Sequence, residues 1–170
     1  MKRTFIPLFL GLLLLTLQAT LLTSFPIQRV RPDIILVLIL YLGFCYPPVS
    51  GGLLAFSMGF LMDLFSGNGL GLFAFSRPLI FYAAKIFRNW FYLEDFSSQF
   101  LFVLVSAIAE GIVVLALVTA LNSTPYSSLY SLLFTSLLPQ AFTTGLVSPF
   151  LFPLFDKIWS LAGTSGRERS

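Results

Sequence analysis

The chain has 170 residues, 57% of them hydrophobic and 10% charged, with ten lysines and arginines against seven acidic residues. A soluble domain is nearer half apolar and a quarter charged, so the surplus apolar surface has to face lipid. The sequence has no histidine and a single cysteine, Cys45. That excludes histidine-assisted zinc, serine and cysteine catalysis, histidine proton relays, an intrachain disulfide and multi-thiolate metal sites.

Charge-free stretches run from Thr4 to Gln28, Ile34 to Met62 and Gly111 to Phe155. A membrane crossing needs about 20 largely apolar residues. The pattern predicts an all-α polytopic membrane protein. A single integral domain covers residues 1–159, with six transmembrane helices at about 5–22, 33–46, 49–65, 70–87, 98–121 and 129–155. A disordered cytosolic tail is expected at 160–170.

The first run follows Lys2 and Arg3 in the manner of a secretory signal. It is too long for a signal core and lacks a convincing Ala-x-Ala site, so it reads as a retained span. A polar link with Arg29 and Arg31 ends at Pro32, and Asp33 then sits where an acidic side chain caps the second helix. Pro47 and Pro48 divide the next apolar stretch. The second and third helices are therefore short, roughly 21 and 25 Å, and are either thin spans or the two arms of a re-entrant hairpin.

The third helix carries a ridge of small residues, Gly51, Ala55 and Gly59, in steps of four that end at Asp63. Such a ridge admits a neighbouring backbone and is expected to dock a partner helix, from this chain or from another protein. Gly67, Asn68 and Gly69 supply a stop and turn. The fourth helix contains Arg77 and Lys85 and ends among Arg88, Trp90 and Tyr92, an interfacial mixture of basic and aromatic residues. Glu94 and Asp95 lead into the fifth helix, with Glu110 near its middle. Asn122 to Ser128 separates it from a sixth, which Pro139, Pro149 and Pro153 are expected to kink and which Lys157 and Trp159 anchor at its exit. Counting basic residues near helix ends puts both termini in the cytosol: Lys2, Arg3, Lys85, Arg88, Lys157, Arg167 and Arg169 lie inside against Arg29 and Arg31 outside. The net charge of +3 thus reads as topology, not nucleic-acid binding.

Charges within a bilayer are costly, so they face protein or water and pair. Asp63 is disfavoured by the dipole at the C-terminal end of its helix and is expected to pair with Arg77, either as a structural clasp or as part of a partner-binding site. Glu110, beside Ala107 and Gly111, joins the same cluster, is protonated in an apolar setting, or serves a partner helix; the three alternatives stay open.

The segment Arg31 to Phe44, RPDIILVLILYLGF, and the segment Gly59 to Gly71, GFLMDLFSGNGLG, together resemble the MreD family of rod-shape-determining membrane proteins. Asp33, Gly59, Asp63, Gly67 and Gly71 are the positions that match the family motif. The resemblance implies a non-enzymatic, cofactor-free scaffold in the bacterial inner membrane. It would dock the bitopic protein MreC within the elongation complex that also holds MreB, RodA and a class B penicillin-binding transpeptidase, and would link it to peptidoglycan synthesis. The arrangement of six helices implied is similar to that of the substrate-binding subunits of energy-coupling-factor transporters. A homodimer is left open. One rival is a small-solute transporter or transport subunit built on Asp63, Arg77 and Glu110. A membrane-embedded aspartyl peptidase is a weaker rival, because Asp63 and Glu110 lack matching flanking sequence.

Overall fold

The computed structural model describes residues 2–24, 32–66, 71–88, 95–122 and 137–161. Six helices follow in order: α1 (Lys2–Ser24), α2 (Ile34–Cys45), α3 (Pro48–Ser66), α4 (Leu72–Phe87), α5 (Phe96–Asn122) and α6 (Leu138–Leu161). The expected turn at Gly67–Gly69, the charged Arg29 and Arg31, Trp90, and the start expected for the sixth helix at 129 lie outside the described residues. The sixth helix continues to Leu161, past the end expected at Phe155, so Ser160 and Leu161 belong to it and not to a tail. Pro149 and Pro153 lie inside it without ending it.

The short α2 is the axis of the bundle. Its sequence, IILVLILYLGFC, is apolar on every side, and such a helix is stable only when surrounded. Ile35 through Gly43 are all buried, and α1, α3, α4, α5 and α6 each pack on it. At 12 residues it is about 18 Å long, well under the roughly 30 Å of a hydrocarbon layer. Asp33 starts the helix, its Oδ1 accepting the Leu36 N–H at 3.0 Å. At the other end Lys85 Nζ donates to the Tyr46 carbonyl (2.5 Å) and Arg88 Nη1 to that of Phe44 (3.2 Å), which places cations where the helix dipole is negative.

The helices alternate in direction. The C-terminal ends of α2, α4 and α6 meet, since Trp159 Nε1 donates to the Tyr46 hydroxyl (3.2 Å) beside the Lys85 contact. Phe102 of α5 packs edge-on against Phe44, 5.2 Å between ring centres, so the N-terminal half of α5 shares this end. At the opposite end of α2, Gln18 of α1 donates to the Pro32 carbonyl at 3.4 Å. Lys85, Arg88 and Lys157 consequently lie at one end of the bundle, and the start of α2 and the start of α4 lie toward the other.

Two segments are long and apolar enough to cross a membrane, Pro48–Phe65 and Phe96–Ala120. Only 39% of the first and 28% of the second is buried within the fold, whereas a core helix of a soluble protein is mostly covered. The uncovered positions are large and apolar: Leu53, Phe56, Phe60 and Leu64 on α3, and Leu101, Val105 and Ile112 on α5. A surface of that kind is suited to lipid.

The ridge on α3 meets a different fate from the one expected of a surface open to another protein. Gly51, Ala55 and Gly59 are buried, and α4 of the same chain fills the groove. A Cβ on Gly59 would run into the Phe73 carbonyl, and one on Gly51 would run into the Phe81 ring. The small residues do admit a close backbone, but that backbone is internal.

Candidate functional site: a buried ion cluster

Asp63 lies close to the end of α3, where its own helix dipole repels it. The start of α4 lies against it, and the free amides there need an acceptor. Gly71, with φ of 104°, occupies the N-cap position and has no side chain to offer. Asp63 acts as the cap from outside the helix. Its Oδ1 accepts from the Phe73 N–H (3.0 Å) and its Oδ2 from those of Ala74 (2.8 Å) and Gly71 (3.2 Å). The expected Asp63–Arg77 pair is not formed. A carboxylate with three backbone donors has no need of the guanidinium, and Arg77 points elsewhere.

Arg77, on the second turn of α4, is wholly buried and is shared between two other acids. Its Nη2 pairs with Asp33 Oδ2, and its Nη1 donates to Glu110 Oε2 at 3.1 Å. Nε is 3.1 Å from Glu110 Oε1 but is not aimed at it and makes no hydrogen bond. Nη2 also touches Met62 Sδ at 3.2 Å, and the guanidinium lies over the Phe73 ring, 5.5 Å from its centre. Ser76 Oγ donates to Glu110 Oε1 at 3.3 Å. α6 joins through Thr144, whose Oγ1 accepts the Asp33 N–H (3.0 Å) and donates to the Gln140 carbonyl (2.7 Å).

One cluster thus ties the start of α2, the first turns of α4, the middle of α5 and the start of α6. Of the site residues expected from sequence, Arg77 and Glu110 come together, while Asp63 stands beside them in a separate role. Gly51, Ala55 and Gly59 form the packing face under α4, and Gly67 is outside the described residues. Asp33 is the member that sequence reasoning undervalued. Its capping bond to Leu36 is present, and that sufficient local role concealed the second one, the ion pair through the other oxygen. A carboxylate has two oxygens and capping uses one, so Asp33 kept an acceptor free for Arg77, and that spare oxygen was the available signal.

The arrangement consumes its own charge. Burying an ion pair is tolerable when the partners and their remaining hydrogen-bonding atoms are satisfied, and removing one partner then strands the other. Among the described residues no three His, Cys, Asp or Glu side chains stand close enough to share a metal ion.

Apolar helices with largely uncovered outer faces, fastened around ionised side chains that answer one another, define a helical membrane protein in which buried charge holds helices together. The family model for the rod shape-determining protein MreD matches residues 2–161, nearly the whole chain, and the chain belongs to that family. No curated protein and no solved structure gives a significant match.

Proposed function

We propose that this protein is a non-enzymatic scaffold of the cell-elongation complex, a multi-pass protein of the bacterial inner membrane with both termini cytosolic. It docks MreC in the bilayer and so links it to MreB, RodA, the class B penicillin-binding transpeptidase and peptidoglycan synthesis. The family match over residues 2–161 carries this reading. The grouping of Lys85, Arg88 and Lys157 at one end of the bundle supports the orientation, since basic residues favour the cytosolic side. The internal satisfaction of Asp33, Arg77 and Glu110 supports a scaffold over a solute transporter, because these side chains turn toward one another and not toward a ligand.

With the ridge of α3 covered by α4, a partner helix has to seat on an uncovered stripe. Photocrosslinkers at Phe60, Leu79, Val105 and Leu146, on α3, α4, α5 and α6 in turn, sample four such stripes, with buried Ala55 as the control. The expected result in living cells is a crosslink to MreC from one stripe and none from Ala55, together with loss of rod shape when that stripe is made polar. Capture of lipid alone from all four stripes would overturn the docking role.

A further inference from the structure

The outer faces of the bundle are not equally tall. α3 and α4 pack against each other, and large apolar side chains stand exposed on both, among them Phe56 and Phe60 on α3 and Phe75 and Leu79 on α4. On α3 the exposed apolar residues run from Val49 to Phe65, about 24 Å at 1.5 Å per residue. On α4 the exposed Gly71 and the exposed charge of Arg88 bound the face, about 25 Å apart. α5 differs. From Phe100, past the polar Ser97, Ser98 and Gln99, to Ala120 it runs about 30 Å, which matches the hydrocarbon layer. The one charged residue in that stretch, Glu110, is turned inward and buried. The face made by α3 and α4 is therefore about 5 Å too short for the layer that α5 spans.

The shortfall is fixed by contacts at both ends of the pair. At one end Asp63 of α3 accepts from the amides of Gly71, Phe73 and Ala74, and Gly59 leaves room only for the Phe73 carbonyl. At the other, the Tyr82 hydroxyl of α4 donates to the Pro48 carbonyl of α3 (3.2 Å), and Lys85 Nζ to that of Tyr46. Sliding one helix along the other to lengthen their joint face breaks both sets. Tilting the bundle shortens the projection of every helix on the membrane normal, so it deepens the deficit. The lipid has to adjust instead. Arg88 supplies a charged rim for it: Nη1 donates to the Phe44 carbonyl (3.2 Å), and the guanidinium has further N–H groups to offer a phosphate.

We propose that the face of α3 and α4 is a binding surface for phospholipids with short acyl chains, their phosphates at Arg88, and that the bilayer thins along this face but not along α5. The proposal rests on the membrane location given above and not on the docking of MreC.

The test uses the purified full chain in bilayers of equal parts dimyristoleoyl- and dioleoyl-phosphatidylcholine, with one or the other lipid brominated to quench tryptophan. Phe60→Trp, Leu79→Trp and Val105→Trp report on α3, α4 and α5 in turn; all three positions are exposed. The signal of the unsubstituted chain is subtracted, and quenching is scaled to that in fully brominated bilayers of each lipid. The expected result is an enrichment of the short-chain lipid of about twofold at Phe60→Trp and Leu79→Trp over Val105→Trp. Adding Arg88→Leu, which removes the rim charge and lengthens the apolar face, should bring the ratio toward one. Equal lipid composition at the three positions overturns the inference and leaves the membrane location intact, as does a ratio unmoved by Arg88→Leu. Absence of quenching at all three overturns the inference together with the membrane location.

Discussion

Replacing Arg77 with methionine removes the sole cation among the described residues of the buried cluster while keeping most of the side-chain volume. Asp33 Oδ2 then loses its partner in a position only 6% exposed, and Glu110 loses its Nη1 donor. Breaking one side of a buried pair costs about 3–5 kcal/mol, because the stranded charge keeps its desolvation penalty without the compensating attraction. The contact with the Phe73 ring adds about 0.5–2 kcal/mol for a desolvated cation. Against a total stability of about 5–15 kcal/mol, the variant is expected to sit near the edge of folding. The double variant Asp33→Asn with Arg77→Met discriminates the cause. Asparagine keeps the cap on the Leu36 amide but carries no charge, so the double variant is expected to recover most of what the single one loses. Denaturant unfolding in detergent micelles, followed by tryptophan fluorescence, measures both, with the exposed Leu79→Ala as the reference. Arg77→Met within about 1 kcal/mol of that reference would refute the role of the cluster, since it lies below the range for a stranded charge. A double variant no more stable than the single would refute the electrostatic explanation.

Asp63→Ala removes the acceptor for the amides of Gly71, Phe73 and Ala74 and should cost about 2 kcal/mol, the upper range for a helix cap. Faster hydrogen exchange confined to the first turn of α4 is the observation that checks it. Gly59→Ala places a methyl group against the Phe73 carbonyl, and because backbone cannot swing aside as a side chain does, a loss of about 3 kcal/mol in the same unfolding assay is expected, at the high end for overpacking. Tyr41→Phe deletes the hydroxyl that donates to Asp156 Oδ1 at 2.6 Å, linking α2 to α6. Asp156 is only partly buried and has further partners, so the expected cost is about 1 kcal/mol, read as a lowered unfolding midpoint with an unchanged denaturant slope.

The helices were legible because each is a long apolar run bounded by charge, proline or glycine, and these signals are local. Pro47 and Pro48 mark the break between α2 and α3 as expected. What the sequence left undecided was whose backbone would lie on Gly51, Ala55 and Gly59. A small-residue ridge states that something comes close, not what, and α4 was as eligible as a foreign helix. The pairing of Arg77 was misassigned for a related reason. Sequence distance favoured Asp63, only 14 positions away across a turn, over Asp33 at 44 and Glu110 at 33. The decisive fact was three-dimensional: Asp63 meets the amides at the start of α4 before it meets the guanidinium, and backbone donors that would otherwise be orphaned claim it first.

The placement of the charges also accounts for how a helix like α2 acquires a unique position. Ile34 to Leu40 presents the same branched apolar surface in every direction, so packing alone distinguishes poorly between one rotation or depth and the next. In lipid the difficulty is greater, since water exclusion no longer drives helices together. The polar contacts of α2 are concentrated at its two ends. At one end Asp33 binds Arg77 and Thr144; at the other Tyr41 reaches Asp156, and Tyr46 meets Lys85 and Trp159. Contacts that fix both ends of a rod fix its rotation and depth together. On this argument neutralising Asp33 and Arg77 jointly restores stability without restoring register, and the sensitive measurement is disulfide trapping between cysteines at Gly43 and Ala84. A Cβ at Gly43 would lie 3.2 Å from that of Ala84, and in the wild-type background the pair should crosslink as one species. In the neutral double variant the same pair should crosslink less efficiently, while neighbouring pairs one position up or down gain; an unchanged pattern would mean that apolar packing sets the register of α2.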